Sequence, residues 1–143
     1  MKGTNGFNFT FVEANRLDEW MSCHSSHPVA VISFGKSLPN SSRSISCPIL
    51  SIDLPQLTEP TRVEVWTSNQ PVQMTQRDQV CVAMNGDVAA ALFSEEESAG
   101  VALEATTYQA YRRLLSTLKD LGYPYLWRAW NYFPAINEDG NGL

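Results

Sequence analysis

The stretch QVCVAMNGDVAAALFSEEE, residues 79–97, decides the fold because two apolar segments flank an Asn-Gly pair. Asparagine and glycine tolerate the positive backbone angles of a tight hairpin turn. We therefore predict that residues 79–84 and 87–93 pair as antiparallel strands across Asn85 and Gly86. Both strands are almost entirely apolar, and the second contains three consecutive alanines. Such small side chains predict that another layer packs closely on the hairpin.

A long helix is predicted after this hairpin. Ser94 and Glu97 have the spacing of a capping box, which places a helix start near residues 98–103. Gly122 suits a left-handed C-terminal cap, and Pro124 prevents the helix from continuing. Between these signals, apolar side chains recur every three or four residues, which predicts a buried face. That face consists of Tyr108, Tyr111, Leu115 and Leu118, with Leu114 and Leu121 beside it.

Three shorter segments before the hairpin favour strands. The first is PVAVISFG, residues 28–35, which is rich in β-branched side chains and bounded by proline and glycine. CPILSIDLP, residues 47–55, is a second apolar segment, and RVEVWTS, residues 62–68, alternates apolar and charged side chains as a half-buried strand does. KSLPNSSRSIS, residues 36–46, lacks periodicity and is predicted to be a surface loop.

The segment YLWRAWNYFPAIN, residues 125–137, is predicted to form a final strand. Its two sides would carry Leu126, Arg128, Trp130 and Tyr132, and Tyr125, Trp127, Ala129, Asn131 and Phe133. Because both sides are aromatic, we expect the strand to be covered on both. The whole pattern predicts an α+β sandwich, a mostly antiparallel or mixed sheet with one long amphipathic helix packed on one face. We expect residues 1–143 to form a single domain.

Composition narrows the function classes. The chain has 143 residues, of which 43% are hydrophobic and 17% are charged, as in soluble globular domains. Its net charge is -5 and its basic residues are scattered, which argues against nucleic acid or an anionic membrane as a partner. No stretch approaches the roughly 18 apolar residues of a membrane span. The N-terminus has no secretory-signal pattern. These features predict a cytoplasmic protein with its three cysteines as free thiols.

Metal binding and nucleophilic catalysis have little support in the sequence. The motif CHSSH offers Cys23, His24 and His27 as ligands, but a structural zinc site needs a fourth ligand, and no second ligand pair follows. A loop leading into a strand is the preferred interpretation. Cys81 lies in an apolar strand without a nearby base, where packing in the core is the preferred interpretation. Because common hydrolase, dinucleotide and metalloprotease motifs are also absent, we assign no catalytic residue, metal or cofactor.

Arg128 has two interpretations. A guanidinium among aromatic side chains needs an anion, because an unpaired buried charge is very costly. The anion is either internal, from Glu64 or Asp87, or it is the carboxylate of a ligand. In the second case the planar guanidinium would bind it in bidentate fashion while Tyr132 donates a further hydrogen bond. Residue chemistry alone favours the internal pair.

The segment LGYPYLWRAWNYFPAINEDGNGL, residues 121–143, resembles part of the chorismatase family, the chorismate-hydrolysing enzymes of macrolide and aryl-pigment pathways. The family pattern is an arginine leading into Trp-Asn-Tyr, a variable pair, and Ile-Asn. The matching positions here are Arg128, Trp130, Asn131, Tyr132, Pro134, Ile136 and Asn137. The Gly-Tyr-Pro lead-in and the tyrosine-bearing helix before it also match. The resemblance is strong from about residue 80 onward.

This resemblance implies a function. Members convert chorismate to pyruvate plus a cyclohexadiene diol acid or a hydroxybenzoate without metal or cofactor. Their fold is similar to that of trimeric imine deaminases and trimeric chorismate mutases. It implies that residues 1–143 form the N-terminal domain of a longer enzyme, whose C-terminal half carries the catalytic acid. Arg128, Asn131, Tyr132 and Asn137 would then contact chorismate or a similar small carboxylate, and the domain would have the C-terminal catalytic domain or another subunit as its partner.

Two other hypotheses fit the same residues. In the first, the chain is a non-catalytic binding or assembly module, whose aromatic segment packs against another subunit or domain while Arg128 pairs internally. In the second, the chain is an independent imine deaminase of the related trimeric fold, with Arg128 holding a substrate carboxylate between subunits.

Overall fold

The structure, a computed structural model, describes residues 6–35, 38, 45–54, 56, 59–95 and 102–133. Their strands form two sheets, and the predicted α+β class with mixed strand pairing is confirmed. The strands are β1 (Phe7–Glu13), β2 (His27–Phe34), β3 (Ile49–Ile52), β4 (Arg62–Ser68), β5 (Gln73–Arg77), β6 (Val80–Met84) and β7 (Ala89–Leu92). The helices are α1 (Leu17–Cys23), which follows a 3-10 turn at Ala14–Arg16, and α2 (Leu103–Asp120).

The first sheet has the order β1-β4-β2-β3. Its β1–β4 and β2–β4 pairs are antiparallel, whereas β2 and β3 are parallel. The predicted alternation of β4 is confirmed, because Val63 and Val65 are fully buried while Glu64 and Trp66 are half-buried. One face of this sheet packs on Leu17 of α1 and forms an apolar cluster with it. The opposite face carries the candidate site.

The predicted hairpin is confirmed as β6 and β7, which pair antiparallel and join β5 in the second sheet. Gly86 has a φ of +93°, a left-handed conformation that glycine adopts without steric cost. The Oδ1 atom of Asn85 accepts hydrogen bonds from the backbone N–H groups of Asp87 (3.2 Å) and Val88 (3.1 Å). Met84 pairs with Ala89, so the loop spans residues 85–88 and is wider than a two-residue turn.

The predicted close packing of another layer on the hairpin is confirmed, and the hairpin is covered on both faces. Val80 and Val82 pack against α2 around Leu118. On the other face, Ala83 packs on β2 of the first sheet, where it contacts the cluster that includes Val29 and Ala30. The small side chains of the hairpin therefore allow a helix and a second sheet to approach it closely.

The predicted buried face of α2 is correct at Leu118 and wrong at Tyr108 and Leu115, which are exposed. The side chains of α2 that pack against β6 and β7 are those of Leu114, Leu118 and Leu121, and Thr117 is also buried. The predicted residues and the residues that are in fact buried both recur with helical spacing, and the position of the hairpin determines which set is buried.

The two ends of α2 differ in how they are capped. At the C-terminal end Gly122 has a φ of +91°, and its N–H donates to the Lys119 carbonyl at 3.0 Å. The Tyr123 N–H donates to the Leu118 carbonyl at 2.8 Å, so the predicted glycine cap is confirmed as a Schellman motif. At the other end Ala102 occupies the N-cap without a side-chain bond. The predicted capping residue, Ser94, therefore does not cap α2, and Glu97 lies outside the described residues.

Three elements are absent from the sequence prediction: β1, α1 and β5. The predicted strands at β2, β3 and β4 are confirmed, and most of the predicted loop 36–46 lies outside the described residues. Within the described part of the chain, neither helix is both long and apolar enough to cross a membrane.

Candidate functional site

Residues 125–133, called the aromatic segment below, do not form the predicted final strand. They belong to no helix or strand, and Tyr125 and Trp127 are 89% and 92% exposed. The expected covering on both sides is therefore wrong. Aromatic residues favour strands only where a neighbouring strand satisfies the backbone, and no ladder includes this segment.

The aromatic segment lies across the outer face of the first sheet and is held there by ring contacts. Trp130 meets Trp66 of β4 edge to face, with ring centroids 5.3 Å apart. Tyr132 meets Phe34 of β2 in the same manner at 5.9 Å. Phe9 of β1 stacks on Trp66 at 5.9 Å because the two residues are directly paired in the ladder. We call the surface formed by Phe9, Phe11, Trp66, Trp130 and Tyr132 the aromatic face.

Glu64 lies beside the aromatic face and interacts with Trp66 and Tyr132. Its Oε1 atom accepts a hydrogen bond of 2.6 Å from the indole Nε1 of Trp66, which fixes the orientation of that ring. Burial, and then the negative charge of Glu64, raise the pKa of Tyr132 above its ordinary value of 10.0. The hydroxyl of Tyr132 is consequently a hydrogen-bond donor throughout the neutral range.

Arg128 is exposed, which contradicts the burial that motivated an internal pair. Its guanidinium carbon lies 5.5 Å from the ring centroid of Trp130, a cation–π distance. Among the described residues no ion pair includes Arg128, and neither Glu64 nor Asp87 pairs with it. The charge is held at the edge of the aromatic face and is open to an anion from solution.

Asn131 points in a different direction from the other predicted site residues. Its Oδ1 atom accepts a hydrogen bond of 2.8 Å from the Tyr111 hydroxyl, which ties the aromatic segment to α2. The structure thus holds Tyr132 on the sheet through Phe34 and places Arg128 over Trp130, while Asn131 contacts the helix. Asn137 lies outside the described residues.

Sequence reasoning missed the floor of this site. Trp66 and Phe9 come from strands that are far apart in the sequence, and Glu64 was considered only as a partner for Arg128. The alternation of β4 contained a usable signal, because it placed Glu64 and Trp66 on the side opposite the buried valines.

The motif CHSSH gives no metal centre in the described part of the chain. Cys23 ends α1, and the His24 ring stacks on Trp20 at 3.9 Å while its Nδ1 lies 2.7 Å from the Trp20 carbonyl oxygen. No three His, Cys, Asp or Glu side chains among the described residues are grouped closely enough to hold a metal ion. Burial raises the pKa of Cys47 from 9.0 to about 11, which makes its thiol a poor nucleophile at neutral pH.

Comparison with known proteins gives one family match. The model described as "Chorismatase FkbO/Hyg5-like, N-terminal" matches residues 64–143, more than half of the chain. The matched range begins at Glu64 and contains Trp66, the hairpin, α2 and the aromatic segment. Among curated proteins, none matches the sequence.

Proposed function

The chain belongs to the chorismatase FkbO/Hyg5-like family as its N-terminal domain, and from this we propose that the aromatic face is one wall of a chorismate-binding site. The single observation that carries the proposal is the exposed guanidinium of Arg128, held over Trp130 without an ion-pair partner among the described residues. A cation at the edge of an apolar surface suits a ligand that combines a ring with a carboxylate.

Chorismate has that combination, since it carries a cyclohexadiene ring and two carboxylates. Arg128 would bind one carboxylate in bidentate fashion, which lysine cannot reproduce. The ring would lie against Trp66 and Trp130, and the hydroxyl of Tyr132 would donate one hydrogen bond to a substrate oxygen. Asn131 supports the site by holding the aromatic segment to α2, and Asn137 is proposed as a further substrate contact.

The proposed reaction is conversion of chorismate to pyruvate and either a cyclohexadiene diol acid or a hydroxybenzoate, with no metal or cofactor. Cleavage of the enol ether requires a proton donor near the substrate methylene or ether oxygen. Glu64 accepts a hydrogen bond from the indole of Trp66, and the raised pKa of Tyr132 makes its hydroxyl a weak acid that can donate a hydrogen bond but is poorly suited to transfer the proton. We therefore propose that residues 1–143 form a single scaffold domain of a cytoplasmic enzyme, with the catalytic acid in a C-terminal domain or another subunit.

Calorimetric titration with chorismate, with pyruvate monitored in the same sample, tests the proposal. We expect binding that is lost in Arg128→Ala and strongly weakened in Arg128→Lys, because lysine keeps the charge but lacks the planar pair of donors. Arg112→Ala, which removes an exposed arginine from α2, is the matched control and should bind normally. Equal binding by the Arg128→Ala and Arg112→Ala variants would refute the assignment. Pyruvate release by this chain would show that catalysis needs no other domain.

A second candidate function is assembly with another domain or subunit, and it is favoured by the exposed side chains of Tyr125 and Trp127 in the aromatic segment. Tyr125 and Trp127 are almost fully exposed, and neither has a ring contact in the described residues. Large exposed aromatic side chains often mark protein interfaces. We expect Trp127→Ser to weaken association with the C-terminal domain, measured by titration of the separately produced domain, without changing chorismate affinity. Unchanged association would count against this candidate.

A further inference from the structure

Strand β1 is an edge strand without the usual protection against pairing. It is the outermost strand of the first sheet, and its register with β4 is continuous from Phe7 to Glu13 without a bulge. Natural edge strands commonly carry charges, proline or bulges that block the addition of another strand. The central residues of β1, Asn8 to Val12, include no proline and no charge. In the described part of the chain, no strand pairs with its outer side.

The direction of the free backbone groups follows from one hydrogen bond at the end of β1. The Ala14 N–H donates to the Thr61 carbonyl at 2.9 Å, in line with the β1–β4 register. In an antiparallel pair, the backbone N–H and C=O groups of successive residues point alternately toward the partner strand and away from it. Thr10 lies four residues before Ala14, so its backbone groups also face β4. The N–H and C=O groups of Phe9 and Phe11 consequently point away from β4, where an added strand can bind them.

There is also room beside this edge. Helix α1 packs on one face of the sheet through Leu17. A cleft of about 440 Å³ remains between the second half of β1 and α1, lined in part by Phe11, Glu13 and Trp20. The second half of β1 is therefore not closed off by α1.

We propose that β1 is a strand-addition surface through which two copies of this chain pair antiparallel, about a two-fold axis at Thr10. This register places Phe9 opposite the partner's Phe11 and covers rings that are 60% and 57% exposed. Aromatic pairs directly across two strands stabilise a sheet. The only charge of β1, Glu13, falls opposite the partner's Phe7, so the two carboxylates lie at opposite ends of the interface.

The same features of β1 favour pairing with a second copy of this chain over pairing with an unrelated strand. A two-fold interface must be self-complementary, and β1 offers outward backbone groups, phenylalanine opposite phenylalanine, and no like charges in apposition. One sheet then continues through both copies. The interface borders the proposed chorismate site, because Phe9 and Phe11 also belong to the aromatic face, but its backbone hydrogen bonds do not involve Arg128 or Tyr132.

Light scattering during size-exclusion chromatography tests the interface with two variants of one residue. Phe11→Ala removes the ring, whereas Phe11→Pro removes the ring and also the outward N–H group. We expect a dimer for the unaltered chain, a dissociation constant raised less than tenfold by Phe11→Ala, and a monomer for Phe11→Pro. A monomer for the unaltered chain at every soluble concentration overturns the proposal. A Phe11→Pro dimer as stable as the Phe11→Ala dimer overturns it as well.

Oxidative cross-linking tests the register and does not depend on the folding of a proline variant. Directly opposed residues of a non-hydrogen-bonded pair have Cα atoms about 4.5 Å apart, which suits a disulfide. In a Cys23→Ser background we expect Thr10→Cys to form a covalent dimer. Asn8→Cys is the control, because its two copies would lie roughly 14 Å apart at about 3.4 Å per residue. Cross-linking of neither variant, or of both equally, contradicts the proposed axis.

Discussion

The β6–β7 hairpin and the aromatic segment are both rich in apolar side chains, yet the first is buried and the second is exposed. In the hairpin, Val80 and Val82 are fully buried and every strand residue belongs to a ladder. In the aromatic segment, Trp127 is almost entirely exposed and no residue belongs to a ladder. The difference lies in the backbone, whose polar groups must be satisfied before a segment can enter a core.

This comparison shows that apolar composition alone does not determine burial. Small and β-branched side chains with paired backbones allow close packing on both faces of the hairpin. Large aromatic rings without a ladder attach to the surface through a few contacts, as Trp130 does on Trp66. Such rings remain available to a ligand or another protein, which is why the candidate site lies in the second region.

The largest expected contrast comes from placing the same charge in each region. Val82→Asp would bury an unpaired carboxylate under α2 and should cost about 4 kcal/mol or more, or prevent folding. Trp127→Asp should change the free energy of unfolding by less than about 0.5 kcal/mol, because the side chain is exposed. Urea unfolding measures both values. Similar losses in the two variants would invalidate the comparison.

The second prediction extends the comparison to thiols, since Cys47 is buried and Cys23 is exposed. Burial raises the pKa of Cys47 from 9.0 to about 11. Between these pH values the unfolded chain loses the proton and the native chain keeps it, so stability falls as the pH rises. The decrease should reach about 2 to 3 kcal/mol by pH 11. In unfolding measured over this pH range, the decrease should be smaller by that amount in Cys47→Ala and unchanged in Cys23→Ala. The raised pKa of Tyr132 leaves a remaining decrease above pH 10.0 in both variants.

The third prediction concerns the glycine that connects the packed helix α2 to the aromatic segment. An alanine at Gly122 meets no atom within 4 Å, so only the left-handed backbone angle opposes it. We expect Gly122→Ala to cost about 1 kcal/mol of stability. Gly6→Ala, which also meets no atom within 4 Å and has no such angle, is the control. Thermal unfolding would show whether the two variants differ.

The smallest effect is a titration shift within the aromatic face. Glu64→Gln removes the charge that is the second cause of the raised pKa of Tyr132. The pKa of Tyr132 should move down toward 10.0 but stay above it, because burial remains. The ultraviolet absorbance of tyrosinate follows this titration. Identical curves with and without Glu64→Gln would contradict the contact, and a Tyr132→Phe background should abolish any difference.

Features set by neighbouring residues were predictable from the sequence. Asn85 and Gly86 specify the hairpin loop through their own side chain and backbone angle, and Gly122 ends α2 in the same local manner. The buried stripe of α2 was not predictable in this way, because Leu118 and Tyr108 both fit a helical period. Only the position of β6 and β7 selects the stripe that is buried.

The candidate site was predicted in part. The family pattern identified Arg128, Asn131 and Tyr132, but it did not indicate that Asn131 turns to α2. The floor of the site depends on β1 lying beside β4, a long-range pairing that no local pattern specifies. Alternating phenylalanines at the start of β1 are a sequence signal for that strand, although they form no continuous apolar run.

The two sheets also differ in how far apart along the chain their paired strands lie. Strands β5, β6 and β7 pair in sequence order, whereas Phe7 of β1 pairs with Ser68 of β4. Because long loops must close before such distant contacts stabilise the chain, the second sheet should assemble first and β1 should dock last. Destabilising substitutions in β6 should then slow folding, while those in β1 should mainly accelerate unfolding. The first of the described strands along the chain would then be the last to reach its native position.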